Sequence, residues 1–165
     1  MLCLVNGSIG FQHEKTNDLT SVESMTTFCL EHFPDDPSIG DESELLRRIP
    51  PYHFFRDDNL GTVRPSSAAF EDDGDNHPMS VYLGTILATE HREASSVLAG
   101  HLGYALASIT AGVAREKDQT VHPDPLPEEV SHAVVCGDKR SGKKNSAKKK
   151  FAITARWVVS PPSAF

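Results

Sequence analysis

Two adjacent arginines, Arg47 and Arg48, a third at Arg64 and the neighbouring hydroxyls of Ser66 and Ser67 are the residues of this sequence best suited to chemistry. A guanidinium presents its N–H groups as a planar fork that fits the oxygens of a phosphate or carboxylate, and serine hydroxyls with backbone amides complete such a cradle. The same residues also have a plain structural use, balancing nearby acids and capping a turn. His132 joins the candidate ligand-binding set because it opens the apolar run Ser131–Cys136 and points either into a cleft or into the core. The eight histidines form no H-x-H, H-x-x-x-H or H-E-x-x-H spacing, so no metal site and no cofactor are implied. Cys136 and His132 share one face of a strand but sit about 13 Å apart at ~3.3 Å per residue, too far for a thiol–imidazole pair.

A second candidate surface is basic. Residues 1–138 hold all 23 acidic residues and only 8 of the 16 basic ones, a net −15, whereas residues 139–165 hold the other 8 bases and no acid. Lys143, Lys144, Lys148, Lys149 and Lys150 lie at the centre of this run, which would attract nucleic-acid phosphates or dock on the acidic body of the same chain. The stretch Ser141-Gly142-Lys143-Lys144 lacks both the first glycine and the final Ser/Thr of a phosphate-binding loop. Three cysteines, Cys3, Cys29 and Cys136, widely spaced and odd in number, indicate neither a disulfide framework nor a zinc site, and point to a reducing cytoplasm. No stretch approaches the roughly 18 apolar residues of a membrane span, and no secretory signal is visible.

The elements that must position these residues follow from periodicity and breakers. Residues 1–40 mix polar and isolated apolar residues at no clear period and close on Phe33-Pro34-Asp35-Asp36-Pro37, which predicts a poorly ordered or loosely packed leader. Met25 within it is an alternative start to Met1, a choice that the intact mass of the native product distinguishes. Leu45–Ile49 reads as a short helix behind Asp41-Glu42-Ser43-Glu44 or as a strand, and Pro50-Pro51 ends either. Tyr52–Phe55 reads as a short strand or an aromatic-anchored loop, Asp57–Gly61 as a turn, and Ser66–Phe70 as an extended segment. Met79–Leu83 alternates like a core strand, Glu93–Leu98 forms a short helix closed by Gly100, and Leu102–Val113 leans to strand because Ser108, Thr110 and Gly112 disfavour helix. Pro123, Pro125 and Pro127 make a stiff connector before the strand Ser131–Cys136; a basic helix over 145–155 presents Ala147, Phe151 and Ala155 to the body, and Trp157–Val159 forms a last strand. The expected fold is a single small α+β domain over 41–159, a short and mostly antiparallel sheet of about four to six strands with two or three helices, followed by a flexible tail at 160–165.

Leu45-Leu46-Arg47-Arg48-Ile49-Pro50-Pro51, Arg64-Pro65-Ser66-Ser67-Ala68-Ala69-Phe70, Met79-Ser80-Val81, and Asp124-Pro125-Leu126-Pro127 with His132-Ala133-Val134-Val135 resemble a group of small, mostly bacterial hypothetical proteins over roughly 41–159. That resemblance implies a shared fold and no activity. The order arginine, Ser-Ser, then Glu128-Glu129 before a late strand is also similar to ADP-ribosyltransferases, which would make this an NAD-binding enzyme with Glu128 or Glu129 on the nicotinamide ribose. The sequence departs from that pattern in having no E-x-E or Q-x-E and only two of the three residues of S-T-S. The leading expectation is a cytoplasmic binding domain that takes a partner protein or a phosphate-bearing ligand on Arg47, Arg48, Arg64, Ser66, Ser67 and His132. An NAD-binding enzyme and a nucleic-acid binder are the alternatives.

Overall fold

Eight short strands follow from the alternating apolar segments, and six of them form one antiparallel sheet. The computed structural model describes residues 19–74, 76–140 and 146–162, with side chains from residue 25 onward. The strands are β1 (Glu44–Ile49), β2 (Phe54–Asp57), β3 (Thr62–Pro65), β4 (Met79–Leu83), β5 (Ala105–Thr110), β6 (Thr120–Pro123), β7 (His132–Cys136) and β8 (Arg156–Val159). The helices are α1 (Leu19–His32), α2 (Gly84–Thr89), α3 (Ala111–Arg115) and α4 (Ala147–Thr154), with single 3-10 turns at Pro51–His53, Ser67–Phe70 and Ala94–Leu98. The sheet runs β6-β7-β4-β1-β5-β8, and β2 and β3 form a separate hairpin across the Asp57–Gly61 turn. This is the expected small α+β fold.

β1 is the central strand, and its sequence shows why. Leu45 and Ile49 are fully buried on one face of the sheet, Leu46 on the other, and Pro50 stops the strand by withholding an N–H. The helix alternative for this stretch falls because neighbours on both sides claim its backbone. On the first face Met79, Val81, Ala107 and Val135 pack with Phe70 and with Phe151 of α4, whose rings meet edge-on at 6.0 Å. On the second face Leu46, Tyr82 and Leu106 pack under Leu87 of α2 and Val97. Trp157 of β8 meets Phe54 edge-on and donates its indole N–H to the Val63 carbonyl at 2.9 Å, fastening the hairpin to the sheet.

Several elements differ in detail from the sequence reading. Ser67–Phe70 is a 3-10 turn instead of an extended segment, because closing the turn drops Phe70 into the core. The strand in Leu102–Val113 ends at Thr110, whose Oγ1 accepts from the Val113 amide at 3.3 Å and starts α3. α4 buries Ala147, Phe151 and Ala152, and Ala155 lies beyond its last turn. α1 and α2 have no counterpart in the sequence reading. α1 was masked by an irregular apolar pattern, and α2 by its length of 6 residues.

The segment 33–41 is tied to the body by side chains. It runs along the outer edge of β6, where the Asp36 amide donates to the Val121 carbonyl at 2.9 Å and the Val121 amide donates to Asp35 Oδ1 at 2.9 Å. Thr120 Oγ1 donates to the Phe33 carbonyl at 2.8 Å. An edge strand that would otherwise present free amides is thereby covered. Arg115 of α3 binds Asp35 at 3.0 Å, Asp41 at 2.7 Å and the carbonyls of Asp36 and Ile39, and Ile39 is buried. Cys29 and Cys136 form a disulfide, with Cα atoms 5.5 Å apart. This corrects the expectation of no disulfide. The pairing joins residues 107 apart in sequence and depends on the bonds that dock segment 33–41 beside β6 and β7, which cysteine spacing does not encode.

A crosslink closing a loop of that length restricts the unfolded chain and is worth about 4–5 kcal/mol. The non-reduced protein is expected to be two hydrogens lighter than the reduced one by intact mass. Reductant, or Cys29→Ser, should lower the urea midpoint accordingly, and a midpoint indifferent to both would contradict the pairing.

Candidate functional site

The sheet forks beside its central strand. β1 and β4 are paired only at Leu45↔Leu83 and Leu46↔Tyr82, whereas β1 stays paired with β5 as far as Ile49, and β4 with β7 as far as Met79. Past Leu46 and Tyr82 the two strands therefore lack each other as partners, and backbone groups facing the gap need other ones. Side chains supply them. Asp73 Oδ2 accepts from the Ser80 amide at 2.9 Å, and Arg47 Nη1 donates to the Ser80 carbonyl at 2.8 Å. Arg47 Nη2 donates to Asp73 Oδ1 at 2.8 Å, and Arg47 Nε donates to the Ala69 carbonyl at 3.1 Å. On the other side of β4, facing β7, the Met79 amide donates to Asp72 Oδ1 at 3.1 Å, and that carboxylate also receives Lys139 Nζ at 2.6 Å. Lys139 is 1% exposed, and its remaining bonds go to the carbonyls of Val135 and Gly137. Burial pulls its pKa below the ordinary lysine value, against the pull of Asp72.

A cleft of about 420 Å³ opens in the fork. Arg47, Arg48 and Ser80 form its floor, Tyr52 and His53 one wall, His101 and Tyr104 another, and Glu71, Asp72 and Asp73 a third. The three acids are matched one to one: Glu71 by Lys148, Asp72 by Lys139 and Asp73 by Arg47. The Lys148 bond holds the Glu71 carboxyl below its usual range. Burial pushes Asp73 up, but the bonds and charge of Arg47 outweigh it and leave this carboxyl low as well.

Arg48 is different. Among the described residues it has no carboxylate partner; its Nη1 meets Nε2 of His101, and its guanidinium lies 5.1 Å from the centroid of the Tyr82 ring. Burial, followed by the Arg48 charge, lowers the pKa of His101. Burial, followed by Arg47 and partly opposed by Glu71, lowers that of His53. Both imidazoles are thus held toward the neutral form. Among the described residues, the cleft has one cation without a carboxylate partner, two imidazoles held toward the neutral form and two tyrosine rings.

The sequence candidates divide accordingly. Arg47 and Arg48 meet in the cleft. Arg64 pairs with Asp57 at 2.9 Å within the β2–β3 hairpin. Ser66 and Ser67 lead into the 3-10 turn behind the cleft wall, where the Ser66 amide donates to the His53 carbonyl at 2.7 Å, and neither lines the cavity. His132 is a buried β7 residue outside the cleft, with Nδ1 at 2.7 Å from the Asp124 carbonyl and its ring edge-on to Tyr82. Cys136 is committed to the disulfide. Glu129 is bound bidentately by Arg92 at 2.7 and 2.8 Å, Glu128 is exposed, and neither lines the cleft. In the basic run, Lys148 bonds Glu71 and Lys150 lies 3.4 Å from Glu116; Lys149 shares their helix, and Lys143 and Lys144 lie outside the described residues. Sequence reasoning missed Tyr52, His53, His101 and Tyr104. The only local signal was the pair of turn glycines, Gly100 and Gly103, around His101; both have φ +78°.

No group of three or more His, Cys, Asp or Glu among the described residues is arranged to hold a metal ion. Comparisons with protein-family models, with curated proteins and with solved structures find no match.

Two expectations follow from these ion pairs. Asp72→Ala leaves Lys139 buried without its counter-charge and removes the acceptor of the Met79 amide, so a loss of about 3 kcal/mol or more is expected in chemical denaturation. Lys139→Met should lose clearly less, and equal losses would refute the argument. Glu129 is held down to about 2 by Arg92 and by the Ser131 hydroxyl and amide. A carboxylate depressed in the folded state stabilises fully above its unfolded pKa and loses that contribution as pH falls toward the folded value. Glu129→Gln should therefore flatten the decline in stability between roughly pH 4.5 and 2; a decline as steep as in the parent chain would exclude this role.

Proposed function

We propose that this chain is a small binding domain whose cleft takes a phosphate-bearing small molecule, with the anion on Arg48. The observation that carries this reading is the missing counter-charge: in a cleft whose three lining acids are each neutralised, Arg48 is a half-buried cation whose partners among the described residues are an imidazole and an aromatic ring. A guanidinium in that state gains from an oxyanion delivered by a ligand, because charge-assisted bonds to a phosphate are stronger than its contacts with a neutral imidazole and a ring face. The volume of about 420 Å³ falls within the range of small-molecule sites. Tyr52 and Tyr104 offer ring faces for the rest of the ligand. Arg47, with four of its N–H contacts already committed, acts as scaffold.

The positions of Glu128 and Glu129 outside the cleft give no support to ADP-ribosyl transfer. The pairing of Lys148 and Lys150 with acids of the same chain favours docking of α4 over nucleic-acid binding. No helix among the described residues is long and apolar enough to cross a membrane. The Cys29–Cys136 disulfide weighs against a reducing cytoplasm as the working compartment.

Thermal unfolding in the presence of inorganic phosphate, nucleoside monophosphates and sugar phosphates tests this reading. A ligand at 100 times its dissociation constant should stabilise the folded chain by about 2.7 kcal/mol. Arg48→Met should abolish that shift while leaving the circular dichroism of the free protein intact. A shift of equal size in the variant would sink the proposal.

A further inference from the structure

We infer that the ligand's phosphate is a terminal monoester, and that it binds together with one proton shared with His101. The inference rests on the reading of the cleft as an anion site centred on Arg48.

The Arg48–His101 contact carries the argument. A guanidinium has donors only, so Nε2 of His101, the atom that meets Arg48 Nη1, is the acceptor; the ring is neutral and its proton is on Nδ1. An oxyanion drawn to Arg48 therefore arrives beside an imidazole lone pair already turned toward the same guanidinium. Two acceptors facing each other repel, and the contact becomes attractive only when a proton lies between them. For a carboxylate or a phosphodiester the proton has to be placed wholly on His101, against burial and the Arg48 charge, which both hold its pKa down; a phosphate with a second ionisation can share it. A phosphomonoester does, because its second pKa of about 6 lies close to the roughly 6.5 of imidazole. It is the oxyanion that offers acceptor oxygens to Arg48 and an O–H to Nε2 at once. With the shared proton, the Arg48–His101 pair carries two positive charges against a dianion.

The surroundings permit this protonation without a competing carboxylate. His101 faces Arg48 of β1 and the tilted Tyr104 ring at 5.0 Å, with Tyr82 on the far side of the guanidinium. His53, the other imidazole of the cleft, faces Arg47, Glu71 and the Tyr52 ring. Glu71, Asp72 and Asp73 remain held by Lys148, Lys139 and Arg47. His101 sits in the turn between Gly100 and Gly103, where the Tyr104 amide closes on the His101 carbonyl at 3.2 Å.

The pH dependence has a defined sign. Above about pH 7 both the free monoester and the free imidazole lack the proton, which must come from solvent, so affinity falls as pH rises by about tenfold per unit. A diester, with a single negative charge and no proton of its own to share, draws a proton onto His101 more weakly, so its dependence is shallower. Calorimetric titration of the full chain with phenyl phosphate, methyl phenyl phosphate and benzoate between pH 7 and 8.5, in buffers of different ionisation enthalpy, reads both affinity and proton count. Phenyl phosphate is expected to bind tightest, with uptake of about one proton. In His101→Gln, which keeps a polar amide but cannot be protonated, phenyl phosphate should still bind, with the pH slope and the proton uptake gone. Equal affinity for the diester or benzoate, or a slope that survives His101→Gln, overturns the inference and leaves the anion site standing. Binding of none of the three probes in an Arg48-dependent manner removes the anion site and the inference with it.

Discussion

The structure depends on the pair Arg47–Asp73. Where β1 and β4 separate, the amide and carbonyl of Ser80 lose the strand that would have paired them, and a buried backbone group without a partner costs about as much as a lost hydrogen bond. Asp73 takes the amide and Arg47 takes the carbonyl, and the two side chains bind each other. A salt bridge here performs the work of a peptide unit. On the opposite edge of β4, where Met79 faces the end of β7, Asp72 takes the Met79 amide and Lys139 takes the Val135 carbonyl, and these two side chains also bind each other. The fork is thus stabilised open, and the cleft is a consequence of sheet architecture that no mobile loop has to create.

That arrangement also sets the electrostatics of the cleft. Holding the fork consumes Asp73 and Arg47, closing the end of the β4–β7 pair consumes Asp72 and Lys139, and docking α4 consumes Glu71 and Lys148. A surface that looks acidic in the sequence is therefore neutral in sum, and Arg48 stands out from it as the unmatched charge. The neighbouring residue in the chain has the opposite fate because successive side chains of a strand point to opposite faces. Arg47 turns toward Asp73 and Ala69, and Arg48 turns toward Tyr82 and His101.

The periphery is secured by the same kind of side-chain substitution. Segment 33–41 covers the open edge of β6 through Asp35 and Asp36, and Arg115 gathers it against α3. Once this segment is docked, Cys29 stands beside Cys136 and the disulfide holds α1 to β7. At Gly137, next to Cys136, an added Cβ would stand 2.6 Å from the Gln119 amide, so the chain turns there only because the side chain is missing. The adjacent strand end brings Lys139 to Asp72.

Much of the body was legible in the sequence, since it rests on local signals. Period-two alternation marked β4, a continuous apolar run marked β7, Pro50-Pro51 marked the end of β1, Asp57–Gly61 marked the hairpin turn, and Phe151 marked the buried face of α4. The prominence of Arg47 and Arg48 was legible too, but their separate roles were not. Those depend on Asp73, 26 residues from Arg47, and on His101, 53 residues from Arg48, distances over which composition and spacing carry no information. The same holds for the Cys29–Cys136 disulfide and for the grouping of Tyr52, His53 and Tyr104 around the cleft. The sequence by itself determined where the chain must break and turn, at Pro50-Pro51 and Asp57–Gly61, because those breaks answer to neighbouring residues. Tertiary structure alone decided which charges cancel and which one remains, because a charge acts on whatever the fold places within a few ångströms of it.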